Sequence, residues 1–249
     1  MPTYTAGEMM AVAGARALAD GEVVLVGLGL PQVAAYLAKR THAPNLHILL
    51  EHGVIGPRPL HTGVGIADAR LWYGASRLTG FVEVMGMVLQ RGLVDVGFLG
   101  ALEIDLYGNL NTTWAGGRHF TGSGGANDVA SLARRVVIIM RHEKKKFAER
   151  VRYLTSPGYL SGGNSRGEVG LRGGGPVQVI TDKAVLDFEP QTKRLRLKSV
   201  HPGVSPEEVI AHTGLELVLP SSIAITEEPT ALELEIIRRE ADPDRAFTG

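Results

Sequence analysis

The sequence predicts an α/β protein with a mainly parallel sheet. Short runs rich in aliphatic and β-branched residues alternate with segments of helical periodicity along most of the chain, which is typical of strands joined by crossover helices. Hydrophobic residues make up 44% of the 249 residues, enough to form a core. No segment has the character of a domain linker, since the glycine-rich stretch near residue 165 fits better as a strand-rich extension. We therefore expect a single domain over residues 1–249.

The first half of the chain opens with a helix. Thr5 and Glu8 have the spacing of a capping box, and apolar residues follow at helical intervals until Asp20-Gly21 ends the pattern. Gly27-Leu28-Gly29-Leu30-Pro31 then separates a strand from a helix, because Pro31 suits a first helical position. The same patterns predict strands at residues 22–26, 47–50 and 94–99, helices at 32–39 and 81–90, and a turn at 105–109.

The second half repeats this order and ends with a strand-rich part. A glycine-rich loop at 121–128 opens a helix through Leu132, and a charged stretch at 141–152 has helical composition. Ser205 and Glu208 form a second capping-box pattern. The remaining predicted elements are a strand at 136–140, a loop at 156–176, hairpin strands at 177–180, 185–188 and 195–200, a strand at 215–219 and a helix at 231–240.

Composition and charge exclude several functional classes. Lys plus Arg and Asp plus Glu both number 26, so nothing suggests a nucleic-acid partner or an anionic membrane surface. The absence of cysteine excludes disulfides, thiolate metal sites and a cysteine nucleophile. The start of the sequence lacks the pattern of a signal peptide, and no apolar run approaches the ~18 residues of a membrane span. We expect a soluble, cytoplasmic protein.

The loop that contains Gly27 and Gly29 is the first of three segments that lie beyond the carboxyl end of a strand, where open α/β sheets bind ligands. Its backbone N–H groups could face an anion at the start of the next helix. It is not a dinucleotide fingerprint, because the third glycine is missing, and a lone GxG is weak support for a site. A tight strand-to-helix turn explains the pattern equally well.

Glu51 is the second candidate. It ends the apolar run 47–50 and is followed by Gly53 and Gly56. An ionised carboxylate at the end of a buried strand costs free energy unless it is paired or used in function. A glutamate that simply turns towards solvent is the competing interpretation, and the local sequence favours neither.

The third candidate is the glycine-rich segment Gly122-Ser123-Gly124-Gly125-Ala126-Asn127-Asp128. Glycines allow backbone amides to approach a ligand closely, which suits an oxyanion or a phosphate. The alternative is a flexible or tightly packed turn, and the lack of GK[ST] excludes a P-loop. His52 and His61 lack metal-ligand spacing, so we expect no metal. The basic residues near 142–146 are best explained as a solvated helix face, and attraction of the phosphates of a large anionic cofactor is the lesser alternative.

Taken in order and spacing, several segments resemble the β subunits of family I coenzyme A transferases. They cover nearly the whole chain, which makes the resemblance more specific than any single motif. They are residues 25–31, 49–56, 99–111 and 121–130, followed by His142-Glu143-Lys144, Thr155-Ser156-Pro157-Gly158, Thr181-Asp182-Lys183 and Asp242-Pro243.

This resemblance implies a three-layer α/β/α fold with a six- to seven-stranded sheet. It implies a partner α subunit in a hetero-oligomer, α2β2 or larger, and coenzyme A as a substrate with no bound cofactor. Glu51 falls on the position of the family's catalytic glutamate, with His52 where Asn or Ser is usual. The segment Gly124-Gly125-Ala126-Asn127 matches the family's Gly-Gly-Ala motif beside the acyl and coenzyme A site, and we expect Gly27, Gly29 and Gly53 to line the same site.

Transfer of coenzyme A between an acyl-CoA and a mono- or dicarboxylic acid is the function that this resemblance favours. An acyl-CoA hydrolase, including a ring-opening one, is the nearest alternative on the same fold. A non-catalytic ligand sensor is a third interpretation, and the lack of a basic patch speaks against its DNA-binding form.

Overall fold

The structure is a computed structural model that describes residues 3–58 and 61–249. In chain order the helices are α1 (Ala6–Ala15), α2 (Leu30–Arg40), α3 (Ala126–Leu132), α4 (Ser165–Glu168), α5 (Pro206–Ala211) and α6 (Ala231–Ile236), with 3₁₀ turns at Ala69–Trp72 and Lys144–Lys146 and π-helical segments at Val82–Leu89 and Ile237–Ala241. The strands are β1 (Val23–Val26), β2 (His47–Leu50), β3 (Val54–Ile55), β4 (Arg77–Leu78), β5 (Val96–Leu99), β6 (Glu103–Asp105), β7 (Leu110–Asn111), β8 (Trp114–Ala115), β9 (Arg118–His119), β10 (Arg135–Ile139), β11 (Phe147–Ala148), β12 (Pro176–Ile180), β13 (Ala184–Phe188), β14 (Leu195–Val200) and β15 (Ala224–Ile225).

Two compact units make up the chain, and the first comprises the residues up to Phe98 together with Glu228–Gly249. Its sheet has β1 between β2 and β5, both parallel to it, while β3 and β4 extend the edge beyond β2 in antiparallel pairing. Helices α1 and α2 pack on each other, and α1 is buried from Gly7 to Ala15. Full burial of each large aliphatic side chain stabilises such a core by about 1.5–3 kcal/mol.

The second unit comprises residues Leu99–Glu227. Its longest strands form a ladder in which β10 pairs in parallel with β12, and β12, β13 and β14 follow in antiparallel order. A small separate sheet places β6 between β7 and β11. The predicted strands of the C-terminal hairpin are therefore confirmed, with each boundary within a residue or so of its predicted position.

Most elements of the first unit agree with their predictions as well. The Thr5–Glu8 capping box is present in full at the start of α1. The predicted α/β class with parallel central strands is confirmed. Among the described residues the sheet strands number five in the first unit (β1–β5) and five in the second (β10 and β12–β15), more than the expected six to seven because the two-residue strands β3, β4 and β15 extend the sheet. The expectation of a single domain stays a prediction.

Two predicted elements are wrong, and the predicted loop 156–176 contains the short helix α4. The charged stretch 141–152 is not a helix, because His142 and Phe147 turn inwards: the His142 N–H donates to Asp182 (2.6 Å), and Phe147 begins β11 beside β6. The segment 215–219 is not a strand, since only Val218 bridges to β14. The second capping box is half present, because the Ser205 hydroxyl accepts from the N–H of Glu208, whose carboxylate pairs with Lys183 instead of the cap.

Candidate active site

Glu51 lies at the tip of a tight hairpin. Strand β2 pairs with the antiparallel β3 so that Leu50 lies opposite Val54, which leaves three residues, Glu51, His52 and Gly53, to reverse the chain. The Gly53 N–H closes the turn by donating to the Leu50 carbonyl (3.0 Å). The sequence folds this way because the third residue after the apolar strand is Gly53, which accepts a positive φ.

The Glu51 carboxylate is half-buried. Within residues 3–58 and 61–249, no N–H or O–H group donates to it and no cation pairs with it. Next to it, burial lowers the pKa of His52, while the Glu51 charge opposes that shift. The turn thus holds a carboxylate that has no partner among the described residues, beside an imidazole whose burial disfavours protonation.

Gly53 has a structural reason to be glycine. Its φ is +111°, and a Cβ there would lie 2.3 Å from the Thr79 carbonyl oxygen and 2.8 Å from the Gly80 Cα. The Thr79 N–H donates to the Gly53 carbonyl (2.9 Å), so backbone segments meet directly at this point. Any side chain at this position would push the hairpin that presents Glu51 away from its neighbour. Contact between Gly53 and a substrate stays a prediction.

The loop with Gly27 and Gly29 lies beside Glu51. Because Val26 is opposite Leu50 in the parallel pair β1–β2, the residues that follow each strand emerge side by side at the carboxyl edge. Gly29 has a φ of +93° and precedes α2. Among the described residues, the N–H groups of Leu28, Gly29 and Leu30 donate to no acceptor, so this loop offers free amides next to the carboxylate.

A C-terminal segment supports this loop, and within it only Asp242-Pro243 stood out in the sequence, without any indication of this role. The Phe247 ring would lie 3.7 Å from a Cβ on Gly29. Asp242, which is buried, holds the segment by accepting from the N–H groups of Ala246 (3.0 Å), Phe247 (3.0 Å) and Thr248 (2.8 Å). No local signal could have revealed this contact, because the two partners lie at opposite ends of the chain.

The second glycine-rich segment belongs to the second unit. Gly124 is exposed with a φ of +52°, and a Cβ there would meet nothing within 4 Å. Gly125 is buried and is the N-cap of α3, which Ala126 and Asn127 begin. In the described part of the chain the N–H groups of Gly124 and Gly125 donate no hydrogen bond. An unpaired, partly buried amide is costly unless a ligand or water completes it.

The structure therefore brings Glu51 together with Gly27, Gly29 and Gly53, all around the carboxyl ends of β1 and β2. The segment 124–127 is formed as predicted, within its own unit. No group of three or more His, Cys, Asp or Glu side chains is placed to hold a metal ion in residues 3–58 and 61–249. In the same ranges no helix is long and apolar enough to cross a membrane. The cytoplasmic location stays a prediction.

A cavity of about 640 Å³ in the second unit contains none of the predicted site residues. Asp105 lies in its wall, and burial raises the pKa of that carboxyl. Its oxygens already accept from the N–H groups of Tyr107 (3.0 Å) and Asn109 (3.0 Å) and from the Asn109 side-chain amide (2.9 Å). Asp105 is therefore a structural residue of the β6–β7 turn.

Comparison with known proteins defines the class. The sequence model of the coenzyme A transferase family matches residues 7–212. The chain belongs to the coenzyme A transferase family.

Two curated relatives match over nearly their full length. The chain is 38% identical to the β subunit of glutaconate CoA-transferase of Acidaminococcus fermentans, covering 98% of this chain and 95% of that protein. It is also 38% identical to the β subunit of 3-oxoadipate CoA-transferase of Pseudomonas knackmussii, with 96% and 94% covered. Both relatives are named as one subunit of a larger enzyme.

Solved structures give the same picture. The crystal structure of glutaconate coenzyme A-transferase from Acidaminococcus fermentans matches with a TM-score of 0.93 at 37% identity, over 99% of this chain and 98% of that one. This match confirms the three-layer α/β/α class that the resemblance implied. The decarboxylase AibA/AibB also matches, with a TM-score of 0.84 at 25% identity, over 98% and 97% of the two chains. The fold alone therefore does not define the reaction.

Proposed function

We propose that this chain is the β subunit of a CoA-transferase in which Glu51 is the covalent nucleophile. One observation carries the proposal: a half-buried carboxylate without a partner among the described residues stands at the tip of the β2–β3 hairpin, beside a loop of free amides. A structural glutamate in that position would be expected to pair with a cation or a donor.

A carboxylate suits this reaction because it conserves the acyl-transfer potential of the thioester. The Glu51 oxygen attacks the acyl-CoA carbonyl, and the C–S bond breaks to give a mixed anhydride and the CoA thiolate. The thiolate then attacks the glutamyl carbonyl of that anhydride. The first acid leaves as its carboxylate, and CoA stays on the enzyme as a glutamyl thioester.

The second acid reverses these steps. Its carboxylate attacks the glutamyl thioester, which forms a new anhydride and releases the thiolate again. The thiolate attacks the new acyl carbonyl, so the product acyl-CoA departs and the Glu51 carboxylate is restored. No net proton or electron is exchanged, and the sequence of steps requires neither a metal nor a redox group.

Each of these attacks passes through a tetrahedral oxyanion. Backbone N–H groups that carry no other hydrogen bond are suited to stabilise it, and the amides of Gly124 and Gly125 have that property among the described residues. The anhydride hydrolyses readily, so water must be excluded while it exists. An α subunit that covers the carboxyl edge of β1 and β2 would exclude it, in keeping with relatives that are each named as one subunit of an enzyme.

The proposed substrates are carboxylic acids and their CoA thioesters. Dicarboxylic acids should be tested first, because the two relatives at 38% identity are named for glutaconate and 3-oxoadipate. Full transferase activity of the isolated β chain would contradict the need for a partner. Activity should appear only when the chain is co-expressed with an α subunit and supplied with an acyl-CoA and an acceptor acid.

The decisive experiment traps the intermediate. The assembled enzyme, given acyl-CoA without acceptor acid, should accumulate a thioester that borohydride reduces, leaving a mass change on the peptide that contains Glu51. A hydrolase that uses Glu51 as a general base would turn over without such an adduct. A label on another residue, or none during active turnover, would overturn the proposal.

A further inference from the structure

Arg166 is a buried cation without an anionic partner in the described part of the chain. Its side chain is 6% exposed, and among the described residues its guanidinium donates only to backbone carbonyls. The bonds run to Gly173 (2.9 and 3.2 Å), Gly158 (2.7 Å), Pro157 (3.1 Å) and Ala130 (3.0 Å). Burial lowers the pKa of Arg166. Burying a charge is costly unless its donors are satisfied, and here five short bonds satisfy them.

These carbonyls belong to three separate segments. Ala130 lies in the second half of α3, Pro157 and Gly158 in the loop that follows β11, and Gly173 in the loop before β12. Arg166 itself comes from α4, so one planar fork of donors joins α3 to two loops. Since α3 begins directly after Gly125, the position of this helix fixes the position of the glycine-rich segment.

The backbone around Gly173 strengthens the same connection. The Gly173 N–H donates to the Ser131 carbonyl (2.8 Å). A Cβ on Gly173 would lie 2.5 Å from the Ala133 carbonyl oxygen, so the loop and the end of α3 touch directly. The guanidinium bond to Gly173 therefore holds the loop against the helix end.

The start of the glycine-rich segment is tied to the same loop by a second route. The Thr112 hydroxyl donates to the Gly122 carbonyl (3.0 Å), and the Thr112 N–H donates to the Thr155 hydroxyl (2.9 Å). Thr155 lies two residues before Pro157, which Arg166 contacts. The loop 155–158 thus reaches both ends of the glycine-rich segment, once through threonine hydroxyls and once through Arg166.

We infer that Arg166 is a positioning residue of the transferase: it holds α3 against the loop 155–158 and so fixes the amides of Gly124 and Gly125, to which the proposed function assigns stabilisation of the oxyanion. The inference rests on the proposed function. Arg166 touches no reacting atom and acts only through α3. Because a misplacement of about 1 Å can cost about 10²-fold in rate, a small rotation of α3 is enough to impair catalysis without unfolding the unit.

The test uses Arg166→Lys in the assembled enzyme, with Arg172→Lys as the matched control. Lysine keeps the charge but has three donors on one atom and cannot span three segments. Arg172 is an exposed arginine in the loop before β12, next to Gly173, and it makes no hydrogen bond among the described residues. We expect Arg166→Lys to lower kcat by about 10- to 100-fold, with KM for acyl-CoA within about twofold because ground-state binding is kept.

Hydrogen exchange supplies a measurement that does not depend on activity. Peptides that cover residues 120–132 should exchange faster in Arg166→Lys than in the wild type or Arg172→Lys, while peptides of β12–β14 stay unchanged. Faster local exchange with normal kcat, or unchanged local exchange, would overturn the inference. If Arg166→Lys does not fold, the neutral Arg166→Gln is tested instead. If neither variant folds, Arg166 is a general stabiliser of the fold, and the inference is likewise overturned. Absence of a Glu51 adduct in the wild-type enzyme would instead refute the proposed function, leaving the exchange result to stand by itself.

Discussion

Replacement of Glu51 by glutamine separates catalysis from stability. The substitution keeps the shape of the side chain and removes only the nucleophilic carboxylate. No donor or cation among the described residues engages that carboxylate. We therefore expect the free energy of unfolding to change by no more than about 0.5 kcal/mol, and Tm by no more than about 2 °C in a chain of this length.

The effect on catalysis should be far larger. Loss of a covalent nucleophile removes the route through the anhydride and has cost up to about 10⁶-fold in other enzymes. We expect transfer to fall at least about 10³-fold, which corresponds to about 4 kcal/mol of lost transition-state stabilisation. The assay follows acyl-CoA formation by the assembled enzyme, alongside thermal unfolding of the same preparation. Glu207→Gln, at an exposed glutamate in the first turn of α5, is the matched control and should leave both quantities unchanged.

Two results would refute this reasoning. Retention of more than about a tenth of the activity would show that Glu51 is not the nucleophile, because no other group could replace it so well. A fall in Tm of more than about 5 °C would show that the carboxylate stabilises the fold by more than about 1 kcal/mol, although it has no partner among the described residues. In that case the loss of activity would be caused by unfolding of the variant and not by loss of the nucleophile.

Three further predictions concern other parts of the chain. Gly124→Val should lower kcat by about 10²- to 10³-fold while the unit stays folded. The exposed position has room for a side chain, but valine would shift the φ of +52° and move the backbone amide. Steady-state kinetics measures kcat, and circular dichroism measures folding. Asp242→Ala should destabilise the chain by about 3 kcal/mol, because it leaves several buried donors unpaired; thermal unfolding measures it. As the pH falls from about 7 to about 5, His201→Gln should lose less stability than the wild type; Tm measured against pH tests this.

The sign of the pH effect follows from the position of His201. Its Nε2 donates to the Thr181 carbonyl (2.8 Å), while Nδ1 is buried without a partner in residues 3–58 and 61–249. Burial lowers the pKa of this imidazole, so the folded chain keeps it neutral. The unfolded chain takes up a proton below about pH 6.5, so stability is present above that pH and is lost as the pH falls. An equal pH dependence in wild type and His201→Gln would contradict this account.

The other two predictions have their own controls. Asp244→Ala removes an exposed carboxylate two residues from Asp242, 3.9 Å from Arg70, and should cost less than about 0.5 kcal/mol. Equal destabilisation by the two alanine variants would contradict the role given to Asp242. Near-normal turnover of Gly124→Val would make its loop structural only.

The sequence was sufficient for features that depend on neighbouring residues. The Thr5 capping box, the strand before Glu51 and the glycine-rich start of α3 were all predictable, because each depends on residues within a few positions. The spacing of strand ends along the chain also placed Glu51 and Gly27 at one edge, since parallel strands present their carboxyl ends together.

Features that depend on distant residues were not predictable. The stretch 141–152 has helical composition, yet His142 bonds to the hydroxyls of Thr181 and Thr213 (both 3.0 Å), which lie far along the chain, and Phe147 joins a separate sheet. These non-local contacts outweigh a weak helical preference. The role of Arg166 was unpredictable for the same reason. Its partners are backbone carbonyls, which every residue type carries, so the sequence does not identify them.

The contact between Phe247 and Gly29 has a consequence for how the chain tolerates mutation. A saturation screen for transferase activity should record two separated zones of low tolerance, one at the motifs near Glu51 and another in the last eight residues, where only Asp242-Pro243 matches the family. Within that second zone the pattern should follow backbone hydrogen bonding: Asp242 should accept almost no replacement, whereas the exposed Asp244 should accept most. Gly7 should be intolerant as well, because a Cβ there would lie 2.8 Å from the Thr248 Cα.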